Sequence, residues 1–208
     1  WTSGTSAQNI VGLTGGKTYV LRETVAPPGG YALTTDTQFT LKKDGTVDTS
    51  SLSDPVTIGQ SGNLKGVLLV EDGMTPVKIS KVDATGKQEV AGATIGIYML
   101  DGVTLAQMYD TTSKTYVPAT WTSGTAAETI RGLAVSTTDI LRETVAPQGY
   151  AVTTDTQFTL DSDGNVTSYS GNKKGSVLLV EDNMTSVKIA KTDINGQKEI
   201  PGAKLEIV

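Results

Sequence analysis

The sequence predicts an all-β protein built from small two-sheet sandwich units in tandem. Threonine, valine and isoleucine together supply 64 of the 208 residues, and β-branched side chains favour extended strands over helices. The 23 glycines and 7 prolines are typical of short strands that are separated by frequent turns. A long internal repeat then divides the chain into units.

Two copies of the same segments stand about one domain length apart. VLRETVAPPGGYALTTDTQFTL at 20–41 returns as ILRETVAPQGYAVTTDTQFTL at 140–160, and KGVLLVED at 65–72 returns as KGSVLLVED at 174–182. From Tyr31 onward the first pair is offset by 119 residues (150 − 31), because the first copy carries an extra glycine before that tyrosine. Self-similarity at such a period is typical of a tandem array.

The repeat divides the chain into one complete unit and parts of two others. We expect residues 76–185 to form the complete unit, residues 1–75 the C-terminal two-thirds of a preceding unit, and residues 186–208 the first strands of a following one. The copies differ in length at about residues 48–64, and such a change is typical of a surface loop. The chain is therefore expected to be an interior piece of a longer array.

The first strand of the complete unit is predicted at VKISKVD, residues 77–83. Alternation with a period of two divides it into two faces. One face carries Val77, Ile79, Lys81 and Asp83, and the other carries Lys78, Ser80 and Val82. The segment DATGK at 83–87 is predicted to be a turn, in which glycine supplies a positive φ.

The remaining strands follow from the same alternation and from the turn residues between them. They are predicted at 91–100, 115–121, 139–147, 156–160 and 176–182, with a turn at 161–165. Pro118 indicates that its strand lies at an edge or contains a bulge. A total of about seven strands suits a small two-sheet sandwich.

Two of these strands carry a charged residue on their apolar face. Lys81 shares its face with Val77 and Ile79. Glu143 shares its face with Leu141 and Val145. Burying an isolated charge is costly, so two inward charges of opposite sign call for a joint explanation. One explanation is an inward salt bridge or charged tips that reach solvent. The other is a covalent bond from Lys81 to a carboxyl or carboxamide side chain, with Glu143 as the proton shuttle.

Two motifs give the chain a resemblance to a known family. LRETVAPQGY at 141–150 and its copy LRETVAPPGGY at 21–31 resemble the E-box of CnaB-type domains in Gram-positive pilins and adhesins. VKISKVDATGKQEVAGATIGIY at 77–98 resembles the opening strand and the following segment of the same family. The E-box tyrosine is kept as Tyr19 in the first copy and replaced by Asp139 in the second.

The resemblance implies a prealbumin-like or Ig-like β-sandwich that is closed by an isopeptide bond. In this family a lysine of the first strand is joined to an asparagine or aspartate of the last strand. Carried over, Lys81 is the nucleophile, and Glu143 is the catalytic acid that polarises the acceptor carbonyl and moves protons. Burial favours the neutral forms of an amine and an acid, and contact between them supplies effective molarity.

The acceptor is predicted to lie in VLLVEDNMT, residues 177–185. Both faces of this strand are apolar, so alternation leaves two candidates. Asn183 fits the commoner chemistry of the family, but the first copy has Gly73 at that position. Asp182 recurs in the first copy as Asp72, which favours aspartate as the acceptor with Asn183 as the alternative.

The partial units carry the same types of residue. Glu23 and Asp72 correspond to Glu143 and Asp182, and they would need a lysine upstream of the first residue. Lys191 corresponds to Lys81, and it would need partners downstream of the last residue.

Composition excludes several other classes of function. Cysteine and histidine are both absent, which removes disulfides, thiol catalysis and the usual metal ligands and disfavours hydrolase triads. The net charge of −5 comes without a basic cluster for nucleic acid. No apolar run is long enough to span a membrane. We expect DSDGN at 161–165 to be a turn and Trp1 and Trp121 to serve packing, so no metal or cofactor is predicted.

The sequence thus predicts a structural function that depends on the resemblance. The chain is expected to be a stalk or shaft repeat of a Gram-positive cell-surface fibre or adhesin, stiffened by autocatalytic isopeptide bonds. Its expected location is extracellular, at the cell wall, and its expected partners are neighbouring repeats and host surface proteins or glycans. The alternative is an adhesin module that binds a host ligand through loops such as 48–64. Self-crosslinking occurs once per domain, so the chain is not expected to be an enzyme.

Overall fold

The computed structural model describes residues 1–52, 56–60 and 62–207, and these consist mainly of strands and turns. The all-β prediction is confirmed. Two short 3-10 helices span Thr49–Ser51 and Gly62–Leu64. The strands are β1 Thr18–Leu21, β2 Thr37–Thr40, β3 Val56–Ile58, β4 Leu68–Val70, β5 Pro76–Asp83, β6 Thr94–Met99, β7 Gln107–Asp110, β8 Thr115–Pro118, β9 Thr120–Thr122, β10 Glu128–Arg131, β11 Thr138–Val145, β12 Thr156–Leu160, β13 Val166–Tyr169, β14 Asn172–Lys174 and β15 Val177–Asp182.

Strands β5 to β15 form a sandwich of two sheets. One sheet has the strand order β10-β5-β15-β14, and the other has the order β13-β12-β11-β6-β9. Strands β7 and β8 form a separate hairpin. Apolar side chains from both sheets meet in one core, which includes Ile79 and Leu178 from the first sheet and Ile95, Leu141 and Phe158 from the second.

The first and last strands of this sandwich are neighbours. Strand β15 pairs with β5 in parallel, from Val177 opposite Lys78 to Asp182 opposite Asp83. Parallel neighbours need a long connection, and here the connection is the whole of the domain between them. The start and the end of the unit therefore lie side by side in the same sheet.

The sandwich contains more strand segments than the predicted number of about seven. The predicted strand at 115–121 is two strands, β8 and β9, of which the first closes the hairpin with β7 and the second pairs with β6. The segment 166–174 supplies β13 and β14, which join different sheets. Pro118 ends β8, which explains the break because proline cannot donate to a ladder.

Two face assignments based on alternation are wrong. Val145 is 55% exposed, because the register of β11 against β6 shifts between Glu143 and Val145. Ser80 and Val82 are buried on the face that was predicted to be outward. The chain turns back beside β5, where Val82 and Glu89 form an antiparallel backbone bridge, and the Ser80 hydroxyl donates to the Glu89 carboxylate on that face.

The flanking segments repeat parts of the sandwich. Strands β1 and β2 pair with Tyr19 opposite Phe39, as β11 and β12 pair with Asp139 opposite Phe158. Strands β3 and β4 form a second antiparallel pair. Between 186 and 207 the structure has turns and one isolated bridge, Thr192 with Glu199.

Candidate functional site

Three of the predicted residues lie together in the interior of the sandwich. Lys81 is on β5, Glu143 is on β11 and Asp182 ends β15. Their relative exposures are 2%, 3% and 1%. The structure therefore brings one amine and two carboxyl groups into a single buried group, which we call the Lys–Glu–Asp cluster.

The Lys81 amine is in contact with one of the carboxyl groups and close to the other. Its Nζ is 2.7 Å from Oδ2 of Asp182 and 3.6 Å from Oε1 of Glu143. The same nitrogen donates a hydrogen bond of 3.3 Å to the carbonyl oxygen of Val180. The arrangement places a potential nucleophile directly against a carboxyl group.

The parallel register explains why Lys81 and Asp182 meet. Lys81 lies opposite Val180, and Asp182 lies two residues further along β15. Residues two apart on a strand point to the same face, and Leu178, two residues before Val180, is fully buried. Leu178, Val180 and Asp182 thus line the core face of β15.

Glu143 enters the cluster from the facing sheet. It pairs with Ile95 on β6, and the register shift follows directly after it. The backbone N–H of Thr153 donates to Oε2 of Glu143 at 3.0 Å. One carboxyl oxygen is therefore held by the backbone, while Oε1 is the atom nearer to Lys81.

Three oxygen atoms of the cluster accept no hydrogen bond from any described residue. They are Oε1 of Glu143 and both carboxyl oxygens of Asp182. The short contact between Lys81 and Asp182 is thus an ion-pair contact without hydrogen-bond geometry. Buried polar atoms are normally hydrogen-bonded, and an unsatisfied one costs about 1–3 kcal/mol. The cluster is therefore costly in its unlinked form.

The electrostatics of the cluster favour a proton on Glu143. Burial raises the pKa of Glu143, and the nearby Asp182 carboxyl adds to this effect, while the Thr153 N–H and Lys81 oppose it. One ammonium balances one carboxylate, so a buried cluster of one lysine and two acids is neutral when one acid is protonated. Glu143 is the acid whose raised pKa favours that proton.

The alternative acceptor, Asn183, lies outside the cluster. Its side chain is exposed, and its backbone carbonyl accepts a hydrogen bond of 3.0 Å from the N–H of Ala151. Neighbouring residues on a strand point to opposite faces, so the register that directs Asp182 inward directs Asn183 away from Lys81.

The acid pair of the first copy is also close together, but it is less buried. Glu23 and Asp72 are both half-buried. Burial, with a smaller contribution from Glu23, raises the pKa of Asp72. Thr34 donates to Oε2 of Glu23 from its N–H at 2.8 Å and from its hydroxyl at 3.1 Å. Lys191 is exposed, and its Nζ donates to the carbonyl of Thr192 at 3.4 Å.

Sequence reasoning missed two contributors to the cluster, Thr153 and the carbonyl of Val180. The repeat carries a signal for the first of them. Thr34 and Thr153 occupy the same position in the two copies (153 − 34 = 119), and each donates its N–H to the glutamate of its own copy. A backbone carbonyl has no such signal, because any residue supplies one.

The weaker sequence signals have different outcomes. Trp121 packs against the core as predicted, whereas the packing predicted for Trp1 is wrong, because this residue is 75% exposed. Asp161 accepts the N–H groups of Asp163 and Asn165, as expected for a turn. Within the described ranges, no group of three or more acidic side chains could hold a metal ion. No helix in the described part of the chain has the length and apolar character to cross a membrane.

A two-sheet sandwich with a parallel first and last strand and a buried Lys–Glu–Asp cluster defines the class of the domain, a prealbumin-like β-sandwich. Residues 75–174 match the family model described as SpaA, prealbumin-like fold domain. The predicted resemblance to this family is confirmed over these residues.

Several solved structures match the chain at low identity. The shaft pilin SpaA from Lactobacillus rhamnosus GG is 20% identical, with a TM-score of 0.46, over 83% of this chain and 66% of that one. Its C-terminal domain is 20% identical, with a TM-score of 0.40, over 53% of this chain and 98% of that one. The pilus adhesin SpaC from the same organism, in an open conformation, is 17% identical, with a TM-score of 0.39, over 83% of this chain and 25% of that one. The chain thus spans 66% of the shaft pilin. No curated protein matches it.

Proposed function

We propose that this chain is a structural stalk repeat of a Gram-positive cell-surface fibre or adhesin, reinforced by an isopeptide bond between Lys81 and Asp182. The observation that carries the proposal is the 2.7 Å contact between these two residues in an almost fully buried site. The family match of residues 75–174 supports the stalk role. The location is then extracellular, and the partners are neighbouring repeats.

The bond forms by condensation of the amine with the carboxyl group. A proton first moves from the Lys81 ammonium to the Asp182 carboxylate, and the freed lone pair on Nζ attacks Cγ of the resulting Asp182 carboxylic acid. A C–N bond forms, a C–O bond breaks, and the departing oxygen leaves as water. The ammonium and the carboxylate are thus converted to one neutral amide and one water molecule, with no external oxidant or cofactor.

Glu143 moves the protons in this reaction. Its raised pKa lets it start protonated and hydrogen-bond to the oxygen of Asp182, which polarises the carbonyl. It delivers its proton to the leaving oxygen and accepts one from the attacking nitrogen, so it ends protonated, as it began. The hydrogen bond from Thr153 holds the carboxyl group in place, so the reacting groups are oriented before the reaction begins.

The reaction also removes the main cost of the buried cluster. Before it, an ion pair is buried with unsatisfied oxygen atoms, and burying charges costs several kcal/mol. After it, the core contains a neutral amide in place of the two charges. The buried site therefore favours the product as well as the reaction.

The position of the bond suits a load-bearing repeat. Tension that enters the unit at Pro76 travels along β5 to Lys81, crosses the bond to Asp182 and leaves at Thr185. The 100 residues from 82 to 181 (181 − 82 + 1) lie between the linked positions and are shielded from the load. Without the bond, the same tension would separate β5 from β15 and open the sandwich.

The unit boundaries form part of the same proposal. Residues 76–185 are the complete repeat, and residues 1–75 and 186–208 belong to its neighbours in the array. Glu23 and Asp72 would act in the preceding unit and Lys191 in the following one. The two copies share their strands and acid pairs, which favours repeated structural units over a specialised ligand-binding module.

Intact-mass spectrometry of the unfolded chain tests the proposal. We expect a mass about 18 Da below that of the sequence, since each amide releases one water. The variants Lys81→Met and Glu143→Gln should have their full sequence mass. Lys78→Met, which replaces an exposed lysine of the same strand, is the matched control and should still lose water.

Two results would overturn the proposal. The first is a full, unmodified mass for the folded wild-type chain. The second is a Lys81→Met variant that still loses water, which would place the bond elsewhere. A deficit of about 17 Da would identify loss of ammonia, and thus an asparagine acceptor.

A further inference from the structure

The end of the first copy is bound to the complete unit by backbone hydrogen bonds around Thr75. This residue is fully buried, and its N–H and hydroxyl donate to the Gly30 carbonyl at 2.9 and 3.0 Å. Its own carbonyl accepts the N–H of Gly132 at 3.1 Å. Thr75 thus connects the PPGGY corner of the first copy, residues 27–31, to the segment that follows β10.

Gly30 brings the two backbones into close contact. A Cβ atom on Gly30 would lie 2.3 Å from the carbonyl carbon and oxygen of Gly132 and 2.6 Å from the carbonyl oxygen of Leu133. Gly30 also has a φ of +78°, which other residues rarely adopt. No other residue type fits at this position of the corner without moving the two copies apart.

Tyr116 contacts the corner from the β7–β8 hairpin. Its hydroxyl donates to the carbonyl of Gly29 at 2.5 Å and lies 3.6 Å from Sδ of Met74. Its ring packs edge-to-face against Tyr109. Gly29 is the glycine that the first copy has in excess, so the inserted residue supplies the acceptor for this hydrogen bond.

The corresponding corner of the second copy has only part of this arrangement. Thr185 donates from its N–H and hydroxyl to Gly149 at 2.9 and 3.2 Å, as Thr75 does to Gly30. The sequence PQGY at 147–150 lacks a counterpart of Gly29. A Cβ atom on Gly149 would meet nothing within 4 Å. The difference in sequence between the two corners is therefore the extra glycine.

We propose that Tyr109, Tyr116, Gly132 and Leu133 form a docking surface for the PPGGY corner of the preceding repeat, and that this contact fixes the orientation of successive repeats. The partner is a second unit of the same array, recognised by its backbone through the paired glycines. The extra glycine lets the corner reach the Tyr116 hydroxyl, so an array can contain docked joints and joints without this hydrogen bond.

A fixed joint differs from the usual behaviour of tandem domains. Small contacts between domains usually permit relative motion. Here a buried threonine links both copies, and two glycine backbones pack in direct contact. These features restrict bending at the joint, and they do so without the Lys–Glu–Asp cluster. The test can therefore fail without affecting the proposed crosslink.

Spin-label distance measurements across the joint test this proposal. The chain has no cysteine, so Lys17→Cys and Lys87→Cys, both at exposed positions, place one label in each copy. Lys87→Cys with Thr125→Cys places both labels in the complete unit as a reference. We expect the distance distribution across the joint to be as narrow as the reference distribution.

Removal of the contact should loosen the joint. Deletion of Gly29 and, independently, Tyr116→Phe should broaden the distribution across the joint about twofold or more, towards that of mobile domains. The reference pair should stay unchanged. Tyr169→Phe, at an exposed tyrosine outside the joint, is the matched control and should leave both distributions narrow.

The outcomes decide the proposal in either direction. A broad distribution in the unmodified chain would overturn it. So would a distribution that stays narrow in both joint variants. If deletion of Gly29 prevents folding of the first copy, Tyr116→Phe alone decides, because it removes one hydroxyl from an otherwise unchanged hairpin.

Discussion

Replacing Glu143 by glutamine tests whether the Lys–Glu–Asp cluster stabilises the sandwich through a covalent bond. Glutamine keeps the size of the side chain and can still accept the N–H of Thr153, but it cannot serve as the proton shuttle. Lys81 then faces a single carboxylate, Asp182, and the buried charges balance. We expect the variant to fold without forming the bond.

The expected loss of stability follows from the length of chain that the bond closes. Lys81 and Asp182 are 101 positions apart (182 − 81). In the chain-entropy model, a crosslink around a loop of about 100 residues stabilises the fold by about 4.7 kcal/mol. Because the ion pair stays balanced, we expect Glu143→Gln to lower the free energy of unfolding by about this amount.

Guanidinium denaturation measures this difference. Trp121 packs against the core of the complete unit, and its fluorescence reports on that unit once the exposed Trp1 is replaced by phenylalanine in every variant. Linear extrapolation then gives the free energy of unfolding in water. Glu128→Gln makes the same chemical change at an exposed position of β10, and it should leave the transition unchanged.

Two results would refute this reasoning. One is a Glu143→Gln chain whose mass shows that the bond is absent but whose free energy of unfolding equals that of the wild type, because the crosslink would then contribute nothing to stability. The other is a Glu143→Gln chain that still forms the bond, because another group would then move the protons.

Further predictions concern other parts of the unit. Burial raises the pKa of Asp139 from 3.8 to about 6. The protonated side chain therefore gives its full contribution to the stability of the fold below about pH 3.8, and this contribution is lost as the pH rises through about 6. In denaturation experiments, the free energy of unfolding of Asp139→Asn should therefore rise by about 3 kcal/mol relative to that of the wild type between pH 3.5 and 7.5. A difference in the free energy of unfolding that stays constant with pH would contradict this. Asp163→Asn, at an exposed turn, is the control. Phe158→Ala should cost about 3–5 kcal/mol in the same assay, because Phe158 is 1% exposed in the core; a loss below about 1 kcal/mol would contradict its place there. Asn183→Ala should keep the mass deficit of about 18 Da, and a full mass would make Asn183 the acceptor. When the unit unfolds under tension, Glu143→Gln should release about 350 Å more chain than the wild type, because about 100 residues are no longer shielded by the bond and each extends by ~3.5 Å. Equal released lengths would show that the load does not pass through this bond.

Much of the fold was predictable because alternation and the repeat agreed. The strand predicted at 156–160 is β12, and the one predicted at 139–147 overlaps β11. The inward faces of Lys81 and Glu143 also followed from their apolar neighbours. The prediction was wrong for Val145, where a register shift ends the alternation. Such a shift is a property of strand pairing, which a single strand does not encode.

The acceptor was harder to predict for a physical reason. Strand β15 lies between β5 and β14, and its outer face is partly covered by the turn after β5, where Gly86 approaches Leu179. With both faces apolar, alternation could not distinguish Asp182 from Asn183. The parallel register against β5 makes that distinction, and it depends on two strands that are 94 residues apart (177 − 83).

Lys81 supplies the charge that allows the acid pair of the cluster to be buried. Glu143 and Asp182 are almost fully buried beside it. Two carboxyl groups without a cation resist burial, because each would have to give up water or its charge. The strand that carries the lysine therefore has two effects: it covers the core and supplies the charge that lets the acids be buried. In the proposed mechanism, folding and activation of the amine are then the same event, which explains how a bond could form without cysteine, histidine or an oxidising compartment.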